Sequence, residues 1–205
     1  GQGALYKQAG SHDANRAWDI YQRAQLAAVL DRPGEDGVGL RGEWTLEWQD
    51  RQGRYYFKIP DAKLKKRIAP FCDIPTLAYF VEAITVSGGR VTNPEAARDF
   101  LLPRQVASGA FVDAEREADA VEADAHVLAT AQAVFTLRAL GMEVPRAAAC
   151  GAWLQACQEE SGGFRWSPTR TDASNHADVW YTWAAVRAMA MLDTKPKAPE
   201  ACASW

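Results

Sequence analysis

The chain lacks the features that announce several common functions. No run of about 18 or more apolar residues is present, so no membrane-spanning helix is expected. There is no excess of positive charge. Lys and Arg number 23 against 26 Asp and Glu, a net charge of −3. A general nucleic-acid or anionic-membrane binder needs a basic surplus, so no nucleic-acid partner is expected. Cysteine is sparse, and Cys72, Cys150, Cys157 and Cys202 form no Cys-x-x-Cys pair, so the usual zinc-finger spacings are missing. Buried reduced thiols are the expectation, and with them a cytoplasmic setting. Residues 1–4 have no basic-then-apolar leader pattern. A Gly-rich phosphate loop, His-Glu-x-x-His and Gly-x-Ser-x-Gly are all absent. No low-complexity tract or linker interrupts residues 1–205, which predicts a single domain.

The positive features begin with composition. Apolar residues make up 48% and charged residues 24%, the balance of a folding globular chain. Tryptophan is frequent, at 8 residues. The informative feature is self-similarity. Trp44, Phe100 and Trp153 each stand five residues before a glutamine, Gln49, Gln105 and Gln158. Four residues on comes Gly53, Gly109 or Gly162, and two further on Tyr55, Phe111 or Phe164.

Asp73, Asp124 and Asp178 keep a similar beat and each opens an apolar stretch, with Asp13 ahead of another. An aspartate there caps free N–H groups and suits the helix dipole. Pro94, Pro145 and Pro199 form a third series, each where a helix is expected to begin, with Asn93 as a natural N-cap. Each unit of about 50 residues therefore reads as two helices. The first is apolar and opens at the aspartate; it stops near Gly88-Gly89 in one unit and near Gly141 in another. The stretch 178–192 is apolar almost all round, with Arg187 the main exception, and is expected to be buried on most sides. The second helix is more polar and runs from the proline to the glutamine. Such units cannot hide their apolar faces alone and must stack. Trp205 lies where a further motif would open, which predicts an incomplete ring that stops inside a repeat.

The pattern aromatic-Leu-x3-Gln-x3-Gly-x-aromatic resembles the repeat of the squalene cyclase and protein prenyltransferase β-subunit superfamily. The stretch WLQACQEESGGFRWSP followed by HADVWYTWAAVRAMAML is very similar to one such repeat. The resemblance spans residues 13–205. It implies an all-α fold, an α/α toroid of repeated helical hairpins with about four inner and three to four outer helices around an apolar cavity. It also implies that Gln49, Gln105 and Gln158 are structural, tying outer-helix ends to the next unit.

The catalytic motifs of that superfamily are not intact. Neither Asp-x-Asp-Asp nor Asp-Cys-Thr-Ala-Glu, which carry the cyclase proton donor, occurs. The nearest acidic stretch, Asp119 to Asp124, has the wrong spacing and reads as a solvated loop. Prenyltransferase-type zinc ligands would fall on Asp124 and His126, with Tyr181 at the third position and His176 as a substitute. Two protein ligands are too few for a firm zinc site, so no cofactor is expected and zinc is the one candidate. Asp124, His126 and Asp178 are the candidate catalytic residues, with helix capping the competing role for the two aspartates. Tyr79, Phe80, Phe135, Trp180, Tyr181 and Trp183 are candidate cavity-lining rings, where aromatic faces attract cations and line apolar pockets; core packing is the competing role. Lys63, Lys65, Lys66 and Arg67 are a candidate anion-binding cluster, with a solvated charge run as the competing role.

The function implied is isoprenoid binding or processing, like that of terpene cyclases and prenyltransferases. The alternatives are a non-catalytic toroid that binds a protein partner or a second copy of itself, and an enzyme similar to polysaccharide lyases.

Overall fold

A computed structural model describes residues 11–29, 73–113 and 120–205. Seven α-helices account for most of these residues: α1 (Ser11–Val29), α2 (Ile74–Val86), α3 (Pro94–Leu101), α4 (Val127–Ala139), α5 (Ala147–Ala156), α6 (Val179–Met191) and α7 (Pro199–Ser204). The expected all-helical class holds among the described residues, where extended structure is limited to two isolated bridges. The chain divides into two compact units, residues 1–100 and 101–205.

In the first unit α1 packs on α2. Asp73 caps α2 as expected, its carboxylate accepting from the Thr76 amide at 2.7 Å. Pro75 sits in the first turn, where its missing N–H is no loss. Ile74, Leu77, Ala78, Val81 and Ile84 are buried. The rings of Trp18, Tyr21 and Tyr79 meet at centroid separations of 5.2–5.6 Å and join α1 to α2. Asn93 caps α3 through its side-chain oxygen, 3.2 Å from the Ala96 amide.

In the second unit α4 packs on α6, and α6 also touches α5. Here the glutamine–glycine–aromatic motif is seen twice as a corner between helices. Gln105 Nε2 donates to the Gly109 carbonyl at 3.0 Å and to the Pro145 carbonyl at 2.6 Å. Gln158 Nε2 donates to the Gly162 carbonyl at 3.0 Å and to the Ala198 carbonyl at 3.2 Å, while the Ala198 amide donates to Gln158 Oε1 at 3.0 Å. Both glutamines thus tie the end of one helix to the start of another 40 residues on.

Each glycine of the motif is required by its backbone and by its surroundings. Gly109 has φ +87° and Gly162 φ +97°, the left-handed region that side chains disfavour. A Cβ on Gly109 would stand 2.5 Å from the Cys150 backbone nitrogen, and one on Gly162 would overlap the backbone of Ala201 and Cys202. The aromatic of each motif, Phe111 or Phe164, is fully buried. Burying such a side chain stabilises by roughly 1.5–3 kcal/mol. Its amide donates to a threonine hydroxyl one turn into the next apolar helix, Phe111 to Thr130 at 3.0 Å and Phe164 to Thr182 at 2.9 Å.

Three expectations are corrected. The N-cap of α4 is His126, not Asp124; Asp124 lies in a 3-10 turn (Glu122–Asp124) and is exposed. The caps of α2, α4 and α6 are therefore residues 73, 126 and 178, a beat that matches the glutamines better than the aspartates do. Next, α5 begins at Ala147 rather than Pro145, because Arg146 takes a left-handed conformation at φ +49° and the helix starts after it. Finally, α6 is not buried on most sides. Val179, Trp183 and Val186 are 72%, 42% and 36% exposed, and Ala190 is exposed on the same face.

Candidate functional site

His126, Asp178 and Tyr181 lie at the N-terminal ends of α4 and α6. Asp178 caps α6, its carboxylate accepting from the Trp180 amide at 2.7 Å. Its own amide donates to the Phe164 carbonyl at 3.1 Å, so the corner delivers the cap to the helix. His126 does the same work for α4: Nδ1 accepts from the Ala129 amide at 3.2 Å. A ring nitrogen accepts only while unprotonated. Burial pushes the His126 pKa down to about 3, which keeps the imidazole neutral and the cap intact near neutral pH.

The His126 ring lies flat on Trp166, centroids 3.9 Å apart and planes within 11°. Trp166 in turn meets Tyr181 edge-on at 5.3 Å. Burial, and then the charge of Asp178, raises the Tyr181 hydroxyl above its ordinary pKa. His126, Trp166 and Tyr181 thus form a small ring stack from α4 to α6. Trp166 sits in the segment after the corner, outside any helical period, so sequence periodicity does not mark it. Its spacing of two residues from Phe164 is the signal that points to it.

A second ring group lies further along the same two helices. Phe135 of α4 is buried, with Trp183 of α6 edge-on to it at 5.9 Å. Trp180 stacks on Trp183 at 5.2 Å. The Arg187 guanidinium carbon stands 4.0 Å above the Phe135 ring and 5.5 Å from that of Trp183. A guanidinium over an aromatic face is attracted by the ring quadrupole, an effect of about 0.5–2 kcal/mol. Arg187 was legible in sequence as the one charge of an apolar helix, and its place over the rings follows from the register of α4 against α6. The remaining ring candidates, Tyr79 and Phe80, belong to the first unit, where Tyr79 joins Trp18 and Tyr21 and Phe80 is buried.

The metal candidates do not assemble into a set. Among the described residues no group of three or more His, Cys, Asp or Glu side chains is placed to hold a metal ion. Asp124 and His176 are exposed, and the Nδ1 of His126 is engaged by the backbone. Lys63, Lys65, Lys66 and Arg67 lie outside the described residues.

The thiols have structural surroundings. Cys150, Cys157 and Cys202 are free; the first two are buried and the third is half-buried. Burial pushes Cys150 up to about 12 and drives Cys157 higher still, so neither offers a thiolate near neutral pH. No described helix is long and apolar enough to cross a membrane. No protein-family profile matches this chain. No curated protein matches it either.

Proposed function

We propose that this chain is an arc of an α/α toroid that binds an apolar, isoprenoid-class ligand without catalysing its reaction through the residues described. The carrying observation is the ring group of Phe135, Trp180 and Trp183 with Arg187 seated on it. The exposed indole of Trp183 suits the branched, unsaturated tail of an isoprenoid, and the guanidinium lying over the neighbouring Phe135 ring suits an anionic head group. The sequence repeat supports the same reading through its resemblance to terpene cyclases and prenyltransferases.

Asp178 holds the α6 amide and His126 holds the α4 amide, so two of the three candidate groups already have a backbone partner. The third, Asp124, stands in solvent.

The test is quenching of tryptophan fluorescence by farnesyl diphosphate and by farnesol, on the wild type and on Trp183→Ala and Arg187→Ala. Saturable quenching is expected with both probes. Arg187→Ala should weaken the diphosphate about tenfold and the alcohol little, and Trp183→Ala should weaken both. Quenching that never saturates, or equal responses in all three proteins, overturns the reading.

A further inference from the structure

We propose that Arg165 and Lys197, which flank the second corner, form a binding site for a phosphate-class dianion. The argument begins with the two corners. Their hydrogen-bonded framework keeps one register, in which each residue of the first has a counterpart 53 places on: Gln105 and Gln158, Gly109 and Gly162, Pro145 and Ala198. In that register Val112 answers to Arg165, and Val144 to Lys197. Both valines are buried. Arg104, also buried, answers to Cys157. The first corner is therefore flanked by two apolar side chains and one guanidinium, the second by two cations and a thiol. The first closes with no charge at 112 or 144, so neither cation is part of what makes a corner.

The framework brings the two cations to one place. The Arg165 amide donates to the Cys157 carbonyl at 3.1 Å. Lys197 precedes Ala198, which Gln158 holds through both ends of its amide. Cys157 and Gln158 are adjacent, so one bonded unit fixes both backbones. Both charges act on the Cys157 thiol, each pulling its pKa down against the larger upward push of burial. Arg165 is half-buried, and its Nη2 donates to the Pro168 carbonyl at 3.3 Å. Its Nε is buried and has no hydrogen-bond partner. A buried donor on a charged group is costly to leave unpaired, so Nε is a donor available to a ligand. Among the described residues neither cation is in an ion pair, and the nearby carboxylates of Glu159 and Glu160 pair with neither.

Charge and donor geometry name the ligand. A guanidinium offers a planar fork that fits two oxygens of one anion, and a lysine adds a point charge. Two cations with no carboxylate between them match a dianion, so phosphate or a phosphate monoester fits better than a carboxylate. Lys197 is exposed, so the site is open to a ligand from solvent. Phe135, Trp180, Trp183 and Arg187 take no part in it.

The test is a titration of the full chain with inorganic phosphate at fixed ionic strength, balanced with chloride. The melting temperature should rise along a saturable curve. Arg165→Val and Lys197→Val place the residues of the first corner in the second. Arg165→Val should weaken phosphate about tenfold or more, and Lys197→Val severalfold. Lys195→Ala removes the same charge from an exposed position two residues away and should leave binding unchanged. In chloride alone Arg165→Val should melt no lower than the wild type, because it removes a buried unpaired donor. Glucose 6-phosphate against phosphate separates an ester from the free ion, the tighter of the two identifying the source. Farnesol quenching should be the same in Arg165→Val as in the wild type, which keeps this site distinct from the ring group. No saturable rise, an equal response to acetate, an equal loss in Lys195→Ala, or lower melting of Arg165→Val in chloride overturns the proposal.

Discussion

The corners at Gln105 and Gln158 are two solutions to one problem, and they differ at a single chemical group. Gln158 uses both ends of its amide on Ala198, donating to the carbonyl and accepting from the N–H. Gln105 faces Pro145 in the same place, and proline has no N–H to offer. The first corner compensates elsewhere: Arg146 Nη1 donates to the Val106 carbonyl at 2.9 Å. A motif written with identical residues thus makes different bonds, because the partner 40 residues away decides which half of the amide is used. The corner is a property of two repeats together.

The largest expected effect is at the glycines. Gly162→Ala and Gly109→Ala each force a side chain into left-handed backbone and into a neighbouring main chain. A loss of about 3 kcal/mol or more is expected for each, read by urea unfolding. A loss under about 1 kcal/mol at either position would mean that the corner yields and that the two copies are less rigid than their geometry. The glutamines come next and separate the copies. Gln158→Ala removes three bonds and is expected to cost about 2–3 kcal/mol, against about 1–2 for Gln105→Ala, which removes two. Equal losses would erase the distinction drawn from Pro145.

The last comparison, confined to acid pH, is between two caps for α4. His126 stays neutral in the folded chain down to about pH 3, whereas an unfolded histidine takes up its proton near pH 6.5. The unfolded state then binds more protons, so stability is full above pH 6.5 and declines as pH falls from there toward 3. The slope from this one group is at most about 1.4 kcal/mol per pH unit. His126→Asn keeps a capping oxygen and should flatten that slope. An unchanged slope in His126→Asn would assign the acid sensitivity to other groups.

Much of the corner was legible in the sequence, because a glutamine, a glycine and an aromatic at fixed spacing have few roles besides a repeated turn. Asp73 and Asp178 were readable as caps for the same reason. Asp124 misled: a carboxylate two residues ahead of the true cap keeps nearly the same beat, and an imidazole with a bare Nδ1 caps as a carboxylate does. The open face of α6 was not legible, since an apolar stripe reads the same whether or not a neighbour covers it. Only comparison with α4, which has its mate, tells the two apart. The ring group was half legible. Phe135, Trp180 and Trp183 are marked by type, but Arg187 reaches them through the packing of two helices, and Trp166 reaches His126 from outside any helix.

The 40-residue reach of each glutamine has a consequence for how the chain loses its structure. Each corner has bonds of its own, but the glutamine bonds to Pro145 and to Ala198 form only once the following helix start is in place. Order therefore passes from one repeat to the next as a relay, with each unit lending its neighbour the cooperativity that neither owns alone. In hydrogen exchange, the amides of Phe111 and Phe164 would report on that relay, each opening together with the repeat that follows it rather than with its own helix.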